Sequence, residues 1–217
     1  MNEFFDIDGP FFHTIRVCVD LVYLTALFII TSIPIFTMGS SMCAMYYTAN
    51  KAIRHDRSYV GKEYFKAFKD NFKQSTPVWI VMMIVYIVLG VETYTMYLYA
   101  VNGQAFGRVY LLLMAVIVVI IVWNVYLFAY MSRFKNTTRN CIKNALIFTT
   151  GSFGKSFVLF ALMYFCMLLV VSWPVLIVFV PAAYTIVATF LIEKVFEKYM
   201  TPEQREEEFE KNRVYKN

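Results

Sequence analysis

Long apolar runs separated by short basic segments dominate the pattern of this chain. No charged side chain occurs in residues 21–50, 109–132 or 156–192, and residues 74–107 contain a single acid, Glu92. A membrane-spanning helix needs about 20 consecutive, mostly apolar residues. The runs therefore predict an all-α polytopic membrane protein.

Two of these runs are too long for one straight helix and carry the same internal signal. A helix over residues 21–50 would be about 45 Å long, whereas the hydrocarbon core of a bilayer is about 30 Å thick. Each run contains Ser-x-Pro, as SIP at 32–34 and SWP at 172–174. We interpret both as hairpin turns, with Pro174 starting the second leg of its hairpin. A single kinked helix over 21–50 is the alternative for the first.

This pattern predicts about six transmembrane helices in three hairpins, within a single membrane domain over residues 1–217. The first hairpin spans 11–53. Residues 60–132 contain an amphipathic helix followed by the second hairpin. The third spans 136–198, again with an amphipathic helix, and residues 199–217 form a charged cytoplasmic tail. Charged residues already begin at Glu193, where we expect a solvated helix end or, alternatively, a docking surface for a cytoplasmic partner.

The segment GKEYFKAFKDNFKQ, residues 61–74, has the pattern of an amphipathic helix at a membrane interface. Its two faces are formed by aromatic side chains and lysines at spacings of three and four, namely Tyr64, Phe65, Phe68 and Phe72 against Lys62, Lys66, Lys69 and Lys73. Residues 136–150 have a similar pattern, with Cys141, Ile142, Ala145 and Phe148 facing inward, and residues 11–20 form a weaker third copy. Each hairpin is thus predicted to follow one interfacial helix.

Basic residues indicate the orientation. Of 20 Lys and Arg, seven lie in 51–73, five in 133–155 and six in 193–217. Because cytoplasmic loops of membrane proteins are enriched in Lys and Arg, these three segments and both termini are predicted to be cytoplasmic. The net charge of +5 then suits the anionic inner leaflet of the bilayer, and nucleic acid is not an expected partner.

The sequence gives no sign of catalytic, cofactor or metal chemistry. His13 and His55 are far apart, no CxxC occurs among the four cysteines, and no HExxH, GxSxG or P-loop is present. We expect the cysteines to be packing residues. The predicted protein is not an enzyme and needs no cofactor.

Polar residues and helix breakers at membrane depth are the candidate functional residues, because such groups are costly unless paired or hydrated. They are Ser32, Pro34, Thr37, Gly39, Ser40, Ser41, Asn124, Pro174 and Pro181. Hydroxyl groups near Pro34 can bond the carbonyls freed by the break. Alternatively, they form a polar site with Asn124, whose amide makes either a helix–helix hydrogen bond or a substrate or ion contact.

Several short segments of the sequence resemble the YesL family of bacterial integral membrane proteins, whose molecular role is not established. The resemblance rests on SIPIFTMGSSMCAMYY (32–47), AIRHDRSYV (52–60), YFKAFKDNFKQS (64–75) and the basic SRFKNTTRNCIKNAL (132–146). It implies a bacterial plasma membrane of the Gram-positive type. Members are often encoded beside carbohydrate ABC importers and sensor-kinase systems, which implies an accessory role in sugar uptake or its regulation.

Two functions follow as expectations. The first is a non-catalytic accessory or regulatory subunit, which binds an ABC permease or a sensor kinase within the lipid bilayer. The alternative is a small secondary transporter or channel for a sugar-like solute, with the Pro34 region and Asn124 lining its path. An intramembrane enzyme ranks a distant third, because no nucleophile–base pair is evident.

Overall fold

The computed structural model describes residues 10–53 and 59–200, and its secondary structure is entirely helical over those ranges. The α-helices are α1 (Pro10–Ser32), α2 (Met38–Thr48), α3 (Val60–Val101), α4 (Tyr110–Arg133), α5 (Thr138–Gly151), α6 (Phe153–Ser172) and α7 (Val180–Tyr199). The all-α prediction is confirmed. His55 and the tail beyond residue 200 lie outside the described residues, as does the side chain of His13.

Four of the described helical stretches are long and apolar enough to cross a membrane. They are Thr14–Ser32, Val60–Val101, Ala105–Arg133 and Phe153–Ser172. Helix α2 is too short for this test at 11 residues. Helix α7 has 20 residues but carries Glu193, Lys194, Glu197 and Lys198 in its last two turns. The described residues are therefore helical and include four candidate membrane spans.

The α-helical structure is interrupted at both Ser-x-Pro motifs. Helix α1 ends at Ser32, Pro34 is extended at φ −74° and ψ 101°, and a 3₁₀ turn over Ile35–Thr37 leads into α2. A second 3₁₀ segment, Pro174–Val178, separates α6 from α7. Proline has no N–H to donate and restricts the residue before it, which explains both breaks. Helices α1 and α2 contact each other across the first break.

The predicted amphipathic segments are helical, but only one is a separate helix. Residues 61–74 form the first third of α3, a continuous helix of 42 residues and about 63 Å that passes through Pro77. Residues 11–20 likewise continue into α1. Their prediction as distinct helices therefore needs correction. Helix α5 is separate because the chain breaks at Ser152, and its Cys141, Ala145 and Phe148 are buried as predicted.

Side-chain burial divides the molecule into two parts. The buried residues of α3 lie between Val60 and Met82, and those of α4 lie between Val122 and Met131. These stretches pack with α2, α5 and α7 into two buried clusters, which we call the packed region. Residues 83–121, which we call the distal hairpin, bury only Gly107. The core is thus confined to one end of the bundle.

Contacts along α3 show how far the first hairpin reaches. The Lys51 ammonium lies 2.9 Å from a Glu63 carboxylate oxygen, and the Trp79 indole donates to the Ile35 carbonyl at 2.8 Å. Helix α2 therefore lies beside the first half of α3. The turn between α1 and α2 lies beside Trp79 of α3. Trp79 is 22 residues, or about 33 Å, before the end of α3. The second half of α3 packs instead on α4, where Tyr97 and Tyr110 meet edge to face.

Candidate functional site

Hydroxyl groups bond the carbonyls that the Pro34 break frees. The Thr37 hydroxyl donates to the carbonyl of Thr31 and lies 2.6 Å from that of Pro34. The Ser41 hydroxyl donates to the Thr37 carbonyl at 3.2 Å and lies 3.0 Å from the Thr31 hydroxyl. Backbone groups without partners are costly inside a membrane protein, so these bonds stabilise the break. This arrangement supports the structural interpretation of Thr37 and Ser41.

Ser40 and Gly39 hold α2 against α3. The Ser40 hydroxyl lies 2.9 Å from both the Ser75 and the Thr76 hydroxyl, and all three side chains are buried. A Cβ atom on Gly39 would lie 2.7 Å from the Trp79 Cβ and 2.9 Å from the Ser75 carbonyl oxygen. Small residues allow membrane helices to approach closely, and hydroxyls then bond across the interface. The GSS triplet is therefore a helix-packing motif.

The other two residues of the break differ from these. The Ser32 hydroxyl is buried and has no hydrogen-bond partner among the described residues. Pro34 is exposed, as are Pro174 and its neighbour Trp173 in the corresponding segment between α6 and α7. We assign no ligand contact to these four residues.

A half-open cavity of about 420 Å³ is lined by residues from six of the described α-helices. The wall is mainly aromatic and methionine side chains, including Phe28, Tyr46, Trp79, Tyr86, Phe128, Tyr184, Met42, Met45 and Met163. Asn124 and Pro181 also line it. Ser32, Thr37, Ser40 and Ser41 do not. The structure thus brings Asn124 together with Pro181, and it does not join Asn124 with the hydroxyls of the Pro34 break.

Asn124 is 5% exposed, and its two amide atoms differ in their bonding. The Nδ2 group donates a hydrogen bond to the Tyr86 hydroxyl on α3. The Oδ1 atom is buried without a partner among the described residues, and so is the hydroxyl of Tyr184 on α7. Asn124 therefore makes the helix–helix bond that the sequence suggested, while its Oδ1 atom stays buried without a partner among the described residues.

The predicted interface residues of α3 do not all face outward. Phe65 and the four lysines Lys62, Lys66, Lys69 and Lys73 are exposed, whereas Phe68 and Phe72 are half-buried. Tyr64 is fully buried, and its hydroxyl lies 2.6 Å from that of Thr31 on α1. Tyr64 therefore stabilises the contact between α1 and α3 and does not face lipid. The interface position of the other seven stays a prediction.

Sequence reasoning missed a buried ionic cluster between α4 and α7. The Arg133 guanidinium pairs with the Glu193 carboxylate, whose other oxygen accepts from the Tyr46 hydroxyl at 2.9 Å and the Asn50 amide at 3.0 Å. Glu193 is only 4% exposed, so its assignment to a solvated helix end was wrong. A signal was present, because Glu193 lies on the same helical face as Thr189 and Phe196.

A second pair joins the segment after α2 to the start of α3. Glu63 is 6% exposed and accepts from the Lys51 ammonium at 2.9 Å. Burial alone would lower the pKa of Lys51, but the hydrogen bonds to Glu63 and Tyr47 outweigh it and raise that pKa above its ordinary value. Lys51 therefore stays charged and neutralises the buried carboxylate.

Outside these clusters, the part of the chain that the structure describes has few groups suited to metal binding or catalysis. Those residues contain no group of three or more His, Cys, Asp and Glu that could hold a metal ion. Cys43 and Cys141 are buried, and burial raises the pKa of the Cys141 thiol. A raised pKa keeps a thiol protonated and unreactive. This environment fits packing cysteines at these two positions, whereas Cys18 is exposed and Cys166 is half-buried.

One comparison with known proteins gave a match. A family model described as "Protein of unknown function, DUF624" matches residues 21–93, about a third of the chain. That family is typified by YesL-like membrane proteins. The matched stretch covers the second half of α1, the Pro34 break, α2 and most of α3, and so includes the GSS motif. The comparisons with curated proteins and with solved structures found no match.

Proposed function

We propose that this protein is a non-catalytic accessory or regulatory subunit of a bacterial carbohydrate ABC importer, or of the system that senses its substrate. The main support for this proposal is the exposed apolar surface of the distal hairpin. Its large apolar side chains are exposed on both legs, from Ile84 to Val101 and from Leu111 to Val119. Such a surface must be covered by lipid or by another membrane protein.

Glu92 favours a protein partner on this surface. It is exposed, and it lies nine residues, or about 14 Å, before the end of α3 at Val101. A carboxylate at that depth is costly when it faces acyl chains, and membrane proteins place such groups against polar partners. Among the described residues no ion pair to Glu92 is present. A permease helix with a complementary polar group would satisfy it.

We further propose six membrane-embedded helices in three hairpins, with both termini cytoplasmic in a bacterial plasma membrane. The distribution of Lys and Arg supports this orientation. In this topology α1 and α2 form a shorter hairpin that enters and returns on the cytoplasmic side. The exposed lysines of α3 would then contact the anionic inner leaflet.

The alternative of a transporter for a sugar-like solute has less support. The half-open cavity is lined in part by Asn124, but its walls are chiefly aromatic and aliphatic side chains. A polyol carries many hydroxyl groups, each of which needs a hydrogen-bond partner when it is desolvated. We therefore rank this function below the accessory one.

Co-purification from native membranes tests the proposal. The full chain is tagged, extracted in a mild detergent and examined by quantitative mass spectrometry for stoichiometric partners. A photo-crosslinking phenylalanine analogue is placed at Tyr94 of the distal hairpin or, as a matched control, at Tyr164 of α6. The side chains of Tyr94 and Tyr164 are similarly exposed, at 63% and 55%, so the two positions differ in the helical surface on which they lie.

The expected result is a crosslink from position 94 to a permease or sensor subunit, and no protein crosslink from position 164. In proteoliposomes the isolated chain should not move labelled sugars faster than protein-free vesicles do. Isolation without any partner, together with sugar flux by the chain alone, would contradict the accessory function and favour the transporter.

A further inference from the structure

We propose that an open groove between α1 and the start of α3 binds the headgroup of an anionic phospholipid. This inference rests on the proposed topology, in which the exposed lysines of α3 face the inner leaflet, and it adds one defined site and one class of lipid. Three observations support it: the close meeting of the two helices, the positive charge of the groove, and the exposed apolar side chains that continue from it along α1.

The groove has a volume of about 690 Å³ and two helical walls. Asp20 and Tyr23 of α1 form one wall, and seven residues between Tyr59 and Lys69 form the other. The walls approach closely at Gly61, where a Cβ atom would lie 2.7 Å from the Tyr23 hydroxyl oxygen. Gly61 therefore lets Tyr23 pack against the start of α3, and both residues line the groove.

Positive charge predominates in the groove. Lys62, Lys66 and Lys69 line it, and Asp20 is the one acid among the described residues that do so. Helical positions three and four apart have Cβ atoms about 5–6 Å from each other, so these long, flexible side chains can reach a common phosphate group. None of the three lysines forms an ion pair with another described residue. Their charge is thus available to an anion from outside the chain.

An apolar stripe of α1 continues from the groove. Its exposed side chains are Ile15, Val19, Tyr23 and Ile30, and spacings of four and seven residues place them on one face of the helix. This stripe lies within a candidate membrane span, Thr14–Ser32. Acyl chains would cover it while the headgroup meets the lysines. A soluble anion or an acidic protein segment would match the charge but leave this apolar surface uncovered.

The lysines select the charge of the headgroup. A lysine ammonium binds phosphate as a point charge, and basic pockets between membrane helices bind anionic headgroups in this way. A phosphodiester that carries an uncharged alcohol keeps its full negative charge. A choline headgroup would instead bring its own cation against the lysines. The groove should therefore prefer anionic lipids over zwitterionic ones.

Native mass spectrometry of the full chain tests this preference. The protein is released from detergent micelles that contain phosphatidylglycerol or phosphatidylcholine with identical acyl chains, and the retained lipids are counted. One phosphatidylglycerol should be retained, with a preference on the order of tenfold, since each lysine near an anionic lipid contributes about fivefold. Soluble glycerol phosphate in excess should not displace it, because it cannot cover the apolar stripe.

Two double variants remove equal charge from different places. Lys62→Gln with Lys69→Gln takes two lysines out of the groove and should remove most of the preference for phosphatidylglycerol. Lys73→Gln with Lys143→Gln is the matched control, because both lysines are exposed and neither lines the groove. Its lipid preference should equal that of the wild type. All four side chains are exposed, so both double variants should unfold at the temperature of the wild type.

Several outcomes would overturn the proposal. Equal retention of the two lipids by the wild type would mean that no headgroup is selected, and equal losses in the two double variants would mean that only net charge matters. Displacement by glycerol phosphate would assign the groove to a soluble phosphate compound. A protein crosslink from position 62 without lipid preference would assign it to an acidic protein partner. The accessory function is tested separately by the crosslink from position 94, so either proposal can fail while the other stands.

Discussion

The packed region and the distal hairpin are parts of the same two helices, α3 and α4, yet they are built differently. In the packed region α3 carries a serine–threonine pair that bonds α2, and a glycine of α2 fits against Trp79. In the distal hairpin the same helix continues as exposed aliphatic and tyrosine side chains. Lipid tails are as apolar as leucine, so apolar character alone does not bring membrane helices together.

The difference shows what fixes the position of a membrane helix here. Small residues and hydroxyls create close contacts, and a few buried charges join distant segments. Where such contacts are few, as between residues 83 and 121, the helices leave most of their apolar surface uncovered. Stability should therefore depend on the packed region, whereas partner binding should depend on the distal hairpin.

The largest contrast is expected from labelling of single cysteines by a membrane-impermeant maleimide applied outside intact cells. Gln104→Cys, in the exposed loop of the distal hairpin, should be labelled almost completely. Phe36→Cys, at the turn beside the middle of α3, should not be labelled until the membrane is permeabilised. Equal external labelling at the two positions would show that the first hairpin crosses as fully as the second.

Next in size is the effect of removing the carboxylate of Glu193. Glu193→Ala leaves the buried Arg133 guanidinium without its counter-ion, and breaking such a pair costs about 3–5 kcal/mol. The measurement is thermal unfolding of the purified protein in detergent. Glu92→Gln in the distal hairpin is the control and should leave the unfolding temperature unchanged.

The double variant Arg133→Met with Glu193→Met should recover much of the loss, because an apolar pair needs no counter-ion. A single Glu193→Ala variant as stable as the wild type would mean that Arg133 is hydrated, and the description of this cluster as buried would then fail.

A pair of glycine variants compares the two regions directly. Gly39→Ala places a methyl group 2.7 Å from the Trp79 Cβ, so α2 must move, at a cost of about 1–3 kcal/mol. Gly90→Ala in the distal hairpin meets nothing within 4 Å and should be neutral or stabilise the helix by about 0.5–1 kcal/mol. Chemical denaturation in mixed micelles measures both, and similar effects would remove the distinction between the regions.

The smallest expected effect concerns two tyrosine hydroxyls. Tyr64→Phe removes the bond to Thr31 and should cost about 0.5–1.5 kcal/mol in the same denaturation assay. Tyr97→Phe in the distal hairpin keeps the ring contact with Tyr110 and should cost nothing measurable. A loss of stability in Tyr97→Phe alone would reverse the assignment of the two regions.

The local structure was largely predictable from neighbouring residues. Ser32 ends a helix because Pro34 follows it, and the inward positions of α5 follow from an apolar repeat of three and four. These features depend on backbone sterics and on hydrophobic periodicity, which act over a few residues. The sequence also indicated a helix–helix bond for Asn124, since an amide in an apolar span needs a partner.

Contacts between distant segments were not predictable in this way. Tyr64 and Phe65 are adjacent members of one aromatic stripe, yet Tyr64 is fully buried and Phe65 is 46% exposed. A repeat of three and four covers an arc wide enough to include both, so the packing of α1 decides which one turns inward. Glu193 resembled a solvated acid because its partner, Arg133, lies sixty residues earlier.

The amino-acid sequence alone established that this chain forms apolar helices and that Ser-x-Pro motifs interrupt them. It also established which segments carry the basic charge. These properties follow from transfer free energies and backbone geometry, which each short segment has on its own. The tertiary contacts alone place the end of α2 at the middle of α3, join Arg133 to Glu193, and leave the Asn124 carbonyl oxygen buried without a partner among the described residues. Those features need several helices at once, because a buried polar group is satisfied or left unpaired only by what packs against it.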